Sequence, residues 1–172
     1  MHIRIVERLD TLKNITRSFN FNIGAIFVLA LFNVLYKIRI TAQGIGSADN
    51  LWNPTWLLLG PFVYFAFAAL VRRRRCIKYY SLHVLPFFLF ALFFALNLLR
   101  VDFLDPWENP LYRAYQNSFF IIPISLIGYA VTIIVNRKLI DAIQSSGELL
   151  FALCGFFIII GVLSTLMYLC WG

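Results

Sequence analysis

The residues best suited to chemistry lie in a short polar stretch, RVDFLDPWENPLYRAYQN, between two long apolar runs. Its acids are spaced three residues apart, so one helical turn would bring their carboxylates near one face. Such a cluster could bind a cation or act on a lipid headgroup. Tryptophan and tyrosine stand beside the acids, and we take the set as a candidate recognition site on the outer face of a membrane: Asp102, Asp105, Trp107, Glu108 and Tyr112.

A structural role explains the same stretch. Its pattern of an acid, a tryptophan, Asn-Pro and a further aromatic residue recurs in DNLWNPTW, residues 49–56. Asp-Pro and Asn-Pro are common in turns and helix starts, and Trp and Tyr form belts at membrane interfaces. We favour the interpretation that both stretches form turns and contribute to an aromatic belt at the membrane interface. Duplication of a two-helix unit is an alternative, since each copy precedes an apolar run that contains a proline, Pro61 or Pro123.

Residue patterns of familiar enzymes are missing from the sequence. The histidines, His2 and His83, are not spaced as a zinc pair. The cysteines, Cys76, Cys154 and Cys170, form no C-x-x-C motif. No phosphate loop or glycine-rich nucleotide fingerprint is present. We therefore expect a protein that is not an enzyme and that uses no cofactor and no metal.

Composition places the chain in the membrane class. Of its 172 residues 61 % are hydrophobic and 13 % charged, and the mean hydropathy is +0.80, whereas soluble domains carry about 25 % charge. A helix needs roughly 20 apolar residues to cross a bilayer. The sequence predicts an all-α, polytopic helix bundle with five spans in one domain, residues 20–172, at about 20–38, 54–71, 82–99, 118–136 and 149–171.

The first 19 residues differ from the rest. Their apolar residues fall within one arc at helical spacing, which predicts an amphipathic helix on the cytoplasmic face of the membrane. The basic segment followed by an apolar run could instead be a secretory signal. That alternative is weaker, because the run is too long for the apolar region of a signal, and Lys37 and Arg39 stand where small residues should precede cleavage.

Basic residues predict the orientation, because cytoplasmic flanks are rich in Lys and Arg. With the N-terminus in the cytoplasm, 11 of the 15 basic residues fall on that side, and five spans place the C-terminus outside. Short connections favour a bacterial inner (plasma) membrane. The densest basic cluster follows the second span directly, so we expect it to contact anionic lipid rather than nucleic acid; it comprises Arg72, Arg73, Arg74, Arg75 and Lys78.

The predicted spans contain no charged residue in their cores. The polar groups that they hold are Asn33, Asn97, Tyr64, Ser125, Tyr129, Thr132, Ser164 and Thr165, with His83 near the cytoplasmic end of the third span. We expect these groups to form hydrogen bonds between helices. Asn33 and Asn97 lie toward the outer ends of their spans at similar depth, so they are candidates to meet. Small residues that would permit close helix contacts are Ala91, Ala95, Gly155 and Gly161.

These features lead to three functional hypotheses. The first is a non-enzymatic membrane protein that binds a partner in or at the bilayer, such as an accessory subunit or a protective immunity or exclusion protein. The partner would be another membrane protein or a second copy of the chain. The alternatives are an oligomeric channel or small transporter, and an enzyme that acts on lipid headgroups through the outer-loop carboxylates.

Overall fold

The computed structural model describes residues 2–42, 53–71, 80–98, 110–118, 120–140 and 144–171. Every regular element in these ranges is a helix, as the composition predicts. A short 3₁₀ helix at Arg137–Leu139 joins the last two α-helices. The α-helices, in chain order, are α1 (His2–Ala42), α2 (Trp56–Leu70), α3 (Tyr80–Leu98), α4 (Pro110–Asn117), α5 (Ile121–Val135) and α6 (Gln144–Trp171).

Helix α1 is much longer than the first predicted span. Its backbone runs from His2 to Ala42 and passes the predicted boundary at residue 19 without a break. No proline or glycine lies near that boundary that would interrupt the helix. The side chains before Ser18 lie outside the described part of the structure, so the amphipathic face of residues 1–19 stays a prediction.

Helix α2 is the centre of the bundle. It contacts α1 along one side and α5, α6 and α3 along the others. Buried side chains therefore occur around most of its circumference, including Leu59, Val63 and Ala66. Pro61 lies within this helix and is itself buried. A helix that is apolar on all sides is expected at such a position.

Within the described residues, two helical segments are long and apolar enough to cross a membrane, Ser18–Arg39 and Ser146–Met167. Three other apolar segments are shorter: Trp56–Leu70, Ser81–Leu96 and Ile121–Val135. The second and fourth predicted spans were thus too long. Val71 and Phe120 lie in turns that border α2 and α5, so some apolar residues that the sequence counts as span belong to the flanking backbone.

The outer surface of the bundle is apolar. Large hydrophobic side chains with more than half of their surface exposed occur on α1, α3 and α6, among them Val28, Phe88 and Leu169. Soluble monomers rarely expose large contiguous apolar surfaces. The buried core, in contrast, lies mainly between α2, α5 and α6.

Helices α5 and α6 approach each other closely at Gly161. A Cβ atom at this position would lie 2.6 Å from Cγ1 of Ile127 and 3.2 Å from the carbonyl oxygen of Pro123. The predicted small-residue contact on the last span is therefore confirmed at Gly161. At Gly155 a Cβ would meet nothing within 4 Å, so that glycine does not serve the same purpose.

This difference predicts opposite effects of two alanine substitutions. Gly161→Ala should lower the free energy of unfolding by about 1–3 kcal/mol, because Ile127 and the α5 backbone must shift. Gly155→Ala should leave stability unchanged or raise it by up to about 1 kcal/mol, because alanine favours helix and the space is open. Unfolding of the detergent-solubilised variants measures both, and equal effects would contradict the close approach at Gly161.

Candidate functional site

Most of the predicted site residues lie outside the described part of the structure. This holds for Asp102, Asp105, Trp107 and Glu108 of the outer stretch, and for the basic cluster at residues 72–75 and 78. Tyr112 lies on α4, but its side chain is likewise outside the described part. Recognition by the outer stretch and lipid contact by the basic cluster therefore stay predictions.

A polar cluster joins α1 to the start of α2. Asn53 donates a hydrogen bond from Nδ2 to Oδ1 of Asn33 at 2.7 Å. The Thr55 hydroxyl lies 3.0 Å from the same Asn33 oxygen and also contacts Oδ1 of Asn53. Asn33 donates its own Nδ2 to the carbonyl oxygen of Leu29 at 2.8 Å. Both asparagines are about 95 % buried, at 5 % and 4 % exposure, so these bonds replace the water that the amides lose.

The local sequence explains why Asn53 reaches this position. Pro54 follows it and favours a turn, and the Thr55 amide donates to Oδ1 of Asn53 at 2.9 Å. The Trp56 amide then donates to the Asn53 carbonyl oxygen at 3.2 Å, which begins α2. The Asn-Pro element of DNLWNPTW is thus a helix start, as predicted, and its asparagine also contacts the neighbouring helix.

The sequence identified Asn33 as an interhelical contact but did not identify its partners. Asn53 directly precedes the second predicted span and Thr55 is the second residue of that span, whereas interhelical bonds were predicted only for polar groups deeper in the spans. The side chain of Asn97 lies outside the described residues, so its predicted meeting with Asn33 is not tested. A further buried amide, Asn22, was also missed; it donates to the carbonyl oxygen of Ser18 at 2.8 Å.

A second polar contact connects α3 and α5. Nδ1 of His83 lies 2.7 Å from the Tyr129 hydroxyl. The Tyr64 ring of α2 completes the group, with its centroid 5.1 Å from His83 and 5.8 Å from Tyr129. Tyr129 is held against α2 because Gly60 carries no side chain; a Cβ there would overlap the Tyr129 ring. The prediction of interhelical bonding is confirmed for Tyr129 and His83.

The same prediction is wrong for three hydroxyl groups. Thr132, Ser164 and Thr165 each donate to the carbonyl oxygen four residues earlier in their own helix, at 2.6–2.8 Å. A short β-hydroxyl reaches this carbonyl without help from a neighbour. The hydroxyl groups of these residues therefore donate within their own helices, which can pack against neighbouring helices through apolar atoms.

Among the described side chains of α4, Tyr115 contacts α3. Tyr115 is buried, and its ring lies 5.4–6.0 Å from the rings of Phe90, Phe93 and Phe94. Burial, and secondarily the nearby Tyr36, raises the pKa of Tyr115 above its ordinary value. The part of the outer stretch that the structure describes is thus a short helix with a fixed position against α3.

Each of the two polar contacts joins neighbouring helices. Asparagine amides and a threonine hydroxyl supply no general base, and among the described residues no carboxylate stands beside the His83 and Tyr129 pair to complete a triad. No cluster of three or more His, Cys, Asp or Glu side chains suited to a metal ion occurs among the described residues.

Comparison with known protein families, with characterised proteins and with solved structures finds no significant match.

The Asn33 cluster makes a prediction about stability. Asn33→Ala leaves the Asn53 amide and the Thr55 hydroxyl without their shared acceptor, so the free energy of unfolding should fall by about 1–3 kcal/mol. Thr165→Ala removes only a bond within its own helix and should cost less than about 0.5 kcal/mol.

A double-mutant cycle with Asn53→Ala identifies the bond itself. The two asparagine substitutions should cost less together than the sum of their separate effects, because they remove the same contact. Additive effects, or a loss at Thr165 as large as that at Asn33, would contradict the role of this cluster.

Proposed function

We propose that this chain is an integral plasma-membrane protein whose helices α1, α2, α3, α5 and α6 all span the bilayer, with the N-terminus in the cytoplasm and the C-terminus outside. We further propose that it acts by binding a partner in or at the bilayer, without catalysis. A bacterial inner membrane is the compartment that we favour, because the connections between helices are short.

The apolar outer surface supports the membrane assignment. The exposed faces of α1 and α3 carry leucine, phenylalanine and valine where a soluble protein would carry charge. Helices α2 and α5, each 15 residues long, measure only about 22 Å. They would cross a core of about 30 Å by local thinning of the bilayer, or with the help of flanking backbone that is buried in protein. The turn at Asn53–Thr55 meets this second requirement.

The hydrogen bonds of the polar side chains support a binding function. Asn33, Asn53 and Thr55 connect α1 to α2, and His83 with Tyr129 connects α3 to α5. Thr132, Ser164 and Thr165 bond within their own helices. The hydrogen bonds of these groups are made within the bundle. The surface that remains available for binding a partner is therefore its apolar exterior. This use of the polar groups is the observation that carries the proposal.

The native cysteines test the topology. With five spans, a membrane-impermeant maleimide added to intact cells should label the exposed Cys170 in a Cys76→Ser variant. It should label Cys76 in a Cys170→Ser variant only after permeabilisation. If α1 and α6 alone crossed the membrane, the pattern would invert, because Cys76 would then lie outside and Cys170 inside. The inverted result would contradict five spans.

Extraction from the native membrane with a mild detergent or polymer tests the partner. We expect the tagged chain to co-purify with a second membrane protein in a fixed ratio, or with an untagged copy of itself when both are expressed. A second tagged five-span protein of similar size provides the control. The proposal is wrong if the purified chain alone conducts ions or carries solute at specific rates in liposomes.

A further inference from the structure

Five leucines on α3 recur at alternating steps of three and four residues. Each is between 44 % and 61 % exposed, whereas Phe87, Phe90 and Phe94 on the other face of the same helix are partly buried against the core. We refer to these residues as the leucine seam: Leu82, Leu85, Leu89, Leu92 and Leu96. Two copies of a helix with apolar residues at this spacing can pack side by side as a left-handed coiled coil.

The leucine seam points away from the rest of the bundle. At 100° per residue its members fall within an arc of about 80°. His83, Phe90 and Phe94, which contact Tyr129 and Tyr115, lie on a different side of the helix. Phe93, which also contacts Tyr115, borders the arc beside Leu89 and Leu96, so α4 lies along one edge of the seam. The five leucines stay exposed beside this contact, and a neighbouring molecule can reach them from the side away from α4.

We infer that the leucine seam binds the leucine seam of a second copy of this chain, so that the protein is a dimer about a two-fold axis normal to the membrane. The inference rests on the proposed membrane location. Positive flanking residues insert every copy in the same orientation, so two α3 helices meet in parallel. In a parallel pair each seam position faces its own equivalent, and leucine therefore meets leucine at all five positions.

The available area is sufficient for a specific contact. A half-exposed leucine offers on the order of 80 Å² of apolar surface. Five from each copy, with the exposed Phe88 beside them, bring together roughly 1,000 Å², which is near the lower limit for a specific interface. In a bilayer the favourable free energy of helix association comes from close contact between side chains rather than from removal of water. The regular spacing of the seam allows the leucines of two copies to pack closely.

Disulfide cross-linking in native membranes tests the contact position by position. In a background of Cys76→Ser, Cys154→Ala and Cys170→Ser, we expect Leu85→Cys, Leu89→Cys and Leu92→Cys to form cross-linked dimers under mild oxidation. The control on α1 is Leu31→Cys, because Leu31 is 59 % exposed and similar to the seam leucines; it should cross-link several-fold less. Equal cross-linking at Leu31, or none at the seam, would overturn the inference.

A second measurement tests whether the seam holds the dimer together. Replacement of Leu85, Leu89 and Leu92 by alanine should reduce the dimer fraction, counted by single-molecule photobleaching in native-membrane particles, by about tenfold. Ala91→Leu changes a residue outside the seam and should leave the dimer intact. A dimer that survives the triple substitution but is lost in Ala91→Leu would indicate packing through the small residues Ala91 and Ala95 and would overturn the seam.

Membrane extraction distinguishes failure of this inference from failure of the proposed function. A chain that leaves the membrane fraction in alkaline carbonate contradicts both. A chain that stays in the membrane, is monomeric and co-purifies with a different protein contradicts only the leucine seam. An inserted dimer that loses its cross-links and its dimer fraction with the seam substitutions supports both.

Discussion

A buried amide in apolar surroundings must find its hydrogen-bond partners within the protein, because neither lipid nor hydrocarbon side chains can supply them. In this chain that requirement is met by the Oδ1 atom of Asn33, which accepts from Asn53 and lies within hydrogen-bonding distance of Thr55. The bond fixes where α2 begins relative to α1. Since α3 and α5 pack against α2, and α6 packs mainly against α5 with a smaller contact to α2, the position of α2 helps to set that of the other helices.

The helices could be predicted from the sequence because a long apolar run without charge has few other stable conformations in a membrane. The ends of α2 and α5 could not, since hydropathy does not distinguish a helical valine or phenylalanine from one in an adjacent turn, such as Val71 or Phe120. Asn33 was recognised as a contact because an amide in a span is costly. Its partner Asn53 belongs to an Asn-Pro pair. That pair correctly predicts the start of a helix, but it does not indicate that the Asn53 side chain contacts α1.

Hydroxyl groups illustrate a general limit of such predictions. A serine or threonine within a span can bond to a neighbouring helix or to its own backbone, and the sequence is the same in both cases. Thr132, Ser164 and Thr165 use their own backbone, while Tyr129, whose hydroxyl stands farther from its backbone, reaches His83 on α3. The length of the side chain separates the two outcomes here.

The unbroken helix α1 has a mechanical consequence. At 41 residues it is about 60 Å long, roughly twice the hydrocarbon thickness of a bilayer. If residues 18–39 cross the membrane, the 16 helical residues before them continue α1 as a lever of about 24 Å on one side of the membrane. A change of about 10° in the tilt of the span would displace the far end of this lever by about 4 Å. An event within the bilayer that tilts α1 is therefore converted into a larger movement at the N-terminal end.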